Sequence, residues 1–146
     1  MNDNVKCECM STDAVAALLL RWAIAFLLFF AGLNKFLGEG GVFGSIRMIS
    51  GGFKDTYLPM FLVLPFAYII PFAEVVLGVL LFLGLMTRAS LLASGLFMLG
   101  LQLGVLVLKN GDAIFPNTVY VALIVGTLWF ASRDNRYSVD RLIGIR

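Results

Sequence analysis

Four long apolar runs, separated by short polar or glycine-rich segments, dominate the chain. The runs are Ala14–Leu37, Pro65–Leu85, Ala89–Leu108 and Ala113–Ala131. About 20 helical residues cross the roughly 30 Å hydrocarbon core of a bilayer, so each run is long enough to span it. The connections are too short for another domain. We therefore predict an all-α polytopic membrane protein, a four-transmembrane-helix bundle that forms one domain over residues 1–146.

Composition agrees with a lipid environment. Hydrophobic residues make up 60% of the chain and charged residues only 14%, and the charged share is about half that of a soluble domain. The acidic N-terminal tail and the long run behind it do not fit a cleavable signal peptide, so we expect the first span to remain in the mature protein. Within the glycine-rich Gly38–Phe53, the segment VFGSIRMI is predicted to form a short amphipathic element on the outer surface.

The chain contains no histidine. This excludes bis-histidine haem, histidine-ligated copper or iron, and a Ser-His-Asp triad within the chain itself. Cys7 and Cys9 form a lone C-x-C, which lacks both the C-x-x-C spacing and the further ligands of a usual metal site. We expect no covalently bound cofactor and no haem or metal ligated by this chain. Any redox cofactor must therefore be diffusible, such as a quinone, or must sit in a partner.

One carboxylate, Glu74, lies within the second apolar run. Pro71, Glu74 and Gly78 are spaced to share one helix face. An ionisable residue in the hydrocarbon costs roughly 2.5 to 3.5 kcal/mol on insertion scales, so it normally faces protein or water. Glu74 is therefore the first candidate for a functional residue.

Arg21 in the first run is the predicted partner of Glu74. It begins a stripe of helical spacing that continues through Ala25, Leu28, Gly32 and Lys35. At ideal rise Arg21 and Glu74 differ in depth by roughly 8 Å, which a long arginine side chain spans. Two interpretations remain open: a buried ion pair that fixes helix register, or a quinone headgroup or proton-transfer site with both residues as catalytic candidates.

A second polar group is predicted in the outer third of the bundle. Its members are Asn34, Lys35, Gln102, Asp112, Asn117 and Tyr120. Lys35 would bind a small anion, or Gln102 and Tyr120 would bind an isoprenoid quinone; alternatively these residues simply meet water at the membrane boundary. In the third run, the Gly100–Gly104 step predicts close helix packing.

Several motifs in the same order resemble the DoxX family of small membrane proteins. They are AGLNKFLG (Ala31–Gly38), DTYLP (Asp55–Pro59), PFAEVVLGVLLFLGLMTR (Pro71–Arg88) and NRYSVDRLIG (Asn135–Gly144), together with Arg21. The resemblance implies a four-helix membrane bundle and kinship with the DoxD-type subunit of thiosulfate:quinone oxidoreductase. It also extends to methylamine-utilisation proteins linked to disulfide formation, although this chain has no cysteine pair near a span.

Two functional hypotheses follow. The first is a quinone-linked, redox-associated subunit of the bacterial inner membrane, with Glu74 and Arg21 at the headgroup or proton site. The second is a non-catalytic structural or accessory subunit of a larger membrane complex. Both imply the lipid bilayer and other membrane or redox subunits as partners, and neither involves nucleic acid. A small transporter is disfavoured because the runs show neither inverted repeats nor a pair of broken helices.

Lysine and arginine positions predict that both termini and the Met86–Arg88 turn face the cytoplasm. That side would carry Lys6, Arg88, Arg133, Arg136, Arg141 and Arg146; the other would carry Arg47, Lys54 and Lys109, with Lys35 at the boundary. With the native cysteines replaced, cysteines introduced at Gly41 and Asn135 should label from opposite sides of intact cells with an impermeant maleimide. Labelling from outside at position 135 but not at position 41 would show that the orientation is the reverse of the predicted one.

Overall fold

The computed structural model describes residues 12–133, and this part of the chain forms five helices. They are α1 (Thr12–Leu37), α2 (Gly41–Gly52), α3 (Met60–Leu83), α4 (Thr87–Val107) and α5 (Gly111–Arg133). All but α2 are long and apolar enough to cross a membrane, which confirms the predicted multi-pass protein. The prediction of four helices was incomplete, because α2 adds a fifth at the predicted amphipathic segment. Cys7, Cys9 and the motif NRYSVDRLIG (Asn135–Gly144) lie outside the described residues.

The third helix begins earlier than the sequence indicated. We expected this span to start near Pro65, but α3 starts at Met60, and Pro65 and Pro71 both lie inside it. The carbonyl oxygen of Pro59 accepts a hydrogen bond from the backbone N–H of Leu62 at 3.0 Å. Pro59 thus precedes the first turn, the place where proline is well tolerated, and Pro65 is an interior proline instead.

The turn between α3 and α4 is closed by its own polar groups. Gly84 adopts a left-handed conformation with φ of 68°, and the N–H of Leu85 donates to the carbonyl of Leu80 at 3.0 Å. The Thr87 hydroxyl donates to the carbonyl of Gly84 at 3.1 Å, and the Ser90 hydroxyl to that of Leu85 at 2.8 Å. Carbonyls freed at a helix end in a membrane protein need such partners.

The four long helices surround a single apolar core. α1 packs most extensively against α3 and also against α5, which in turn packs against α4; contact between α3 and α4 is sparser. The largest fully buried apolar side chains are Leu28, Leu81, Leu91 and Ile124. The short helix α2 lies against both α1 and α3. We call the end of the bundle where α2 lies the α2 end, and the opposite end, which contains the α3–α4 turn, the turn end.

The contact between α1 and α3 depends on one glycine from each helix. A Cβ atom added at Gly78 would lie 2.8 Å from the backbone nitrogen and 2.9 Å from the Cα of Phe29. A Cβ added at Gly32 would lie 2.7 Å from Cγ2 of Val75 and 3.0 Å from its backbone nitrogen. Small residues permit helix backbones to approach this closely. The predicted buried stripe on α1 and the predicted buried face of α3 therefore meet each other.

The Gly100–Gly104 step has a different role from the one expected. A Cβ atom at Gly100 would lie 3.3 Å from the ring of Phe66, and one at Gly104 would lie 3.4 Å from the ring of Phe53. Both glycines thus make room for aromatic rings, not for the backbone of another helix. The glycines that bring helix backbones together are Gly32 and Gly78.

Gly78→Ala should lower the stability of the folded bundle by about 1 to 3 kcal/mol, because the added methyl group meets backbone atoms that cannot move aside cheaply. Gly126 on α5 is the matched control, since a Cβ atom there meets nothing within 4 Å. Gly126→Ala should be neutral or stabilising because alanine favours a helix. Thermal unfolding in detergent measures both, and equal effects of the two changes would contradict the role assigned to Gly78.

Candidate functional site

Glu74 forms an ion pair with Lys35. The Lys35 ammonium nitrogen lies 2.6 Å from one carboxylate oxygen of Glu74 and 2.8 Å from the other. The Glu74 side chain is 5% exposed and that of Lys35 is 27% exposed. Both carboxylate oxygens are therefore engaged by one cation, and the more accessible member of the pair is the lysine.

Three elements hold this pair in place. Lys35 lies in the last turn of α1, while Glu74 lies near the middle of α3. A Cβ atom at Gly32 would be only 3.0 Å from the Cβ atom of Glu74, so the missing side chain at Gly32 lets the two helices approach. The Ser45 hydroxyl of α2 donates to the backbone carbonyl of Lys35 at 3.2 Å. The last turns of α1 are thus held by the contact with α3 at Gly32 and by the hydrogen bond from α2 at Lys35.

The predicted pairing of Glu74 with Arg21 is wrong. Arg21 is buried, but its guanidinium lies against the α3–α4 turn, where a Cβ atom at Gly84 would be 2.7 Å from one of its terminal nitrogens. Gly84 is ten residues beyond Glu74, or about 15 Å along a helix. The sequence could not show this separation, because it depends on how far α1 is displaced along α3.

The sequence did contain a signal for the true partner. Lys35 belongs to the same helical stripe as Arg21, three residues after Gly32, but we had assigned it to the outer boundary. The end of α1 lies opposite the middle of α3, so a residue at the boundary of one helix reaches the interior of the other. When spans begin and end at different depths, the depth of a residue in the bundle cannot be counted from the sequence alone.

The members of the second predicted group lie on α1, α4 and α5, and a shared ligand-binding site there stays a prediction. Gln102 Nε2 of α4 lies 3.3 Å from the hydroxyl oxygen of Thr118 on α5, and Lys35 is engaged by Glu74 elsewhere. Tyr120 packs beside the apolar core, and Asn117 is partly buried. No hydrogen bond joins any two of the predicted members Lys35, Gln102, Asn117 and Tyr120 within residues 12–133. In the same part of the chain, no group of three or more His, Cys, Asp or Glu residues is placed to hold a metal ion.

An apolar groove of about 260 Å³ follows the seam between α1 and α3. The rings of Phe26, Phe29 and Phe82 line it, together with Ala25 and Gly78. The lining residue nearest to Glu74 along α3 is Gly78, one helical turn away, so the groove lies on the part of the α1–α3 contact nearer the turn end. Its lining suits a hydrocarbon chain and offers no polar partner.

The family model for methylamine utilisation protein MauE matches residues 12–116. This match covers more than two thirds of the 146 residues. The chain belongs to the MauE family. No curated protein and no solved structure matches it. The matched region runs from the start of α1 into α5 and includes Lys35 and Glu74, whereas Asn117 and Tyr120 lie beyond it.

The resemblance to the DoxX family is therefore wrong, and the kinship with thiosulfate:quinone oxidoreductase that it implied is withdrawn. Its most specific motifs have a structural explanation. Gly78, from the Glu-x-x-x-Gly motif, permits the α1–α3 contact, and Gly84 and Thr87, from Gly-Leu-x-Thr-Arg, close the α3–α4 turn.

A double-mutant cycle tests the Lys35–Glu74 pair. Lys35→Gln leaves the buried Glu74 carboxylate without its partner and should cost about 3 to 5 kcal/mol, whereas Glu74→Gln leaves a partly exposed ammonium and should cost less. The double variant should be markedly less destabilised than the sum of the two single variants, as measured by unfolding in detergent.

The matched control is the cycle of Arg21→Gln with Glu74→Gln. These sites are far apart, so their effects should add within about 0.5 kcal/mol. Additivity in the lysine cycle, or strong coupling in the arginine cycle, would overturn the assignment.

Proposed function

We propose that this MauE-family protein is a non-catalytic accessory subunit that supports the assembly or maturation of a membrane-associated redox system. The observation that carries the proposal is the Lys35–Glu74 pair. The carboxylate that would have to exchange protons in a catalytic subunit is 5% exposed and bound through both oxygens. Such a pair serves well to fix the register of two helices.

The arrangement of the other buried polar groups supports the same function. The Thr87 and Ser90 hydroxyls bind carbonyls of the α3–α4 turn. Ser94 and Thr127 donate to carbonyls four residues earlier in their own helices. These groups satisfy the backbone, as a membrane interior requires. The family name, methylamine utilisation protein, supports a place beside a redox system.

A second candidate function is quinone binding, and one observation favours it. The apolar groove along α1 and α3 begins one turn from Glu74, and the Lys35 side chain is 27% exposed. An isoprenoid tail in the groove would bring its headgroup toward the Lys35 ammonium, which would donate a hydrogen bond to a quinone oxygen. Glu74 would then hold or release the accompanying proton.

Deletion and complementation in the source organism distinguish the two functions. Under the accessory function, deletion lowers the abundance of a partner redox enzyme, identified by copurification in mild detergent and mass spectrometry. The uncharged double variant Lys35→Gln with Glu74→Gln should restore that abundance and activity, because it keeps the packing without leaving a lone charge.

Under quinone binding, the same double variant assembles at matched protein abundance but loses quinone reduction by isolated membranes. Normal assembly with lost activity would overturn the accessory function. Full activity of the double variant would rule out a catalytic role for Glu74.

A further inference from the structure

We propose that α2 is a lid over the Lys35–Glu74 pair, and that its opening admits the aqueous phase at the α2 end to this pair. The inference concerns the chain alone and goes beyond the accessory function. Its failure would leave the accessory function in place, because an accessory subunit needs no movable lid.

The position of α2 places it next to the ion pair. α2 contacts α1 and α3, the two helices that supply the ion pair, and the Ser45 hydroxyl reaches the backbone carbonyl of Lys35 itself. At the other end of α2, a Cβ atom at Gly52 would lie 3.5 Å from the Leu108 side chain. The ring of the adjacent Phe53 lies against Gly104 of α4. The segment thus extends from the end of α1 to α4 across the α2 end of the bundle.

The helix α2 buries little of its own surface. Of the twelve residues of α2, only Ile46 is buried. Phe43 is 72% exposed and Met48 is 79% exposed. A segment with few buried apolar contacts opens at a low free energy compared with the core helices. We assign the closed position of α2 to the Ser45 hydrogen bond with the Lys35 carbonyl and to the burial of Ile46.

Glycines lie at both ends of α2. Gly40 and Gly41 have φ angles of 78° and 56°, conformations that glycine adopts without the penalty paid by other residues. Gly51 at the opposite end has no atom within 4 Å of an added Cβ. Hinges are a few residues at element ends that absorb a change in backbone angles. Glycine at both ends allows α2 to move while α1 and α3 remain packed.

A water-soluble carbodiimide provides the readout. It activates Glu74 and joins it to the Lys35 amine with loss of one water, a product that mass spectrometry detects as linked peptides. The reagent must reach Glu74 from water, so the rate of linkage reports lid opening. The experiment uses the full chain in lipid nanodiscs, with modification of the exposed Glu39 and Asp55 as internal references for reagent activity.

Ile46→Ala should raise the linkage rate about tenfold, because it removes the buried contact of α2 and favours local opening. Met48→Ala is the matched control, since it shortens an exposed apolar side chain of the same helix, and it should leave the rate unchanged. Hydrogen exchange of wild-type protein should also be faster in residues 41–53 than in the contact regions 25–32 and 71–78.

An unchanged linkage rate in Ile46→Ala would overturn the lid, as would equal acceleration by Met48→Ala. Should Ile46→Ala fail to fold, as judged by size-exclusion chromatography, Ser45→Ala replaces it. Losing the hydrogen bond to the Lys35 carbonyl should raise the rate about threefold. Exchange in residues 41–53 as slow as in the helix contact regions would contradict the lid independently of any variant.

Discussion

The close contact of α1 with α3 is the constraint on which the rest of the structure depends. Gly32 and Gly78 leave no space for even a methyl group between the two helices. Because the backbones meet there, the last turn of α1 lies against the middle of α3 and the Lys35 ammonium reaches Glu74. Without this approach the carboxylate would lie in hydrocarbon without its cation, which a membrane interior does not readily accept.

Within residues 12–133, the two buried charged side chains, Arg21 and Glu74, have separate structural settings. The Glu74 carboxylate is matched by a lysine near the α2 end, whereas the Arg21 guanidinium lies against the Gly84 turn at the turn end. A cation near the C-terminal end of a helix is favourable, since the helix dipole is negative there. One charged interaction therefore lies at each end of the α1–α3 contact, and the two together stabilise the position of α1 along α3.

The Lys35–Glu74 pair affects both helix packing and the capacity of Glu74 to exchange protons. A carboxylate bound through both oxygens stabilises a register and is a poor proton carrier while the pair is closed. In the proposed lid, α2, the Ser45 hydroxyl donates to the Lys35 carbonyl and Ile46 is the one buried residue of the helix. A lid and an accessory subunit are compatible, because a protein that supports assembly gains from a segment whose position responds to a partner.

The sequence alone determined the membrane class, the four spans and the residues that face inward. Length and apolarity define a span. The 3.6-residue period placed Arg21, Ala25, Leu28, Gly32 and Lys35 on one stripe; the first four are buried and Lys35 is partly exposed. The residues that face each other across two helices were decided only by the tertiary structure. The offset of α1 along α3 brings Lys35 to Glu74. The helical period determines which face of a helix a residue occupies, but the residue that it meets on the neighbouring helix depends on how the two helices pack.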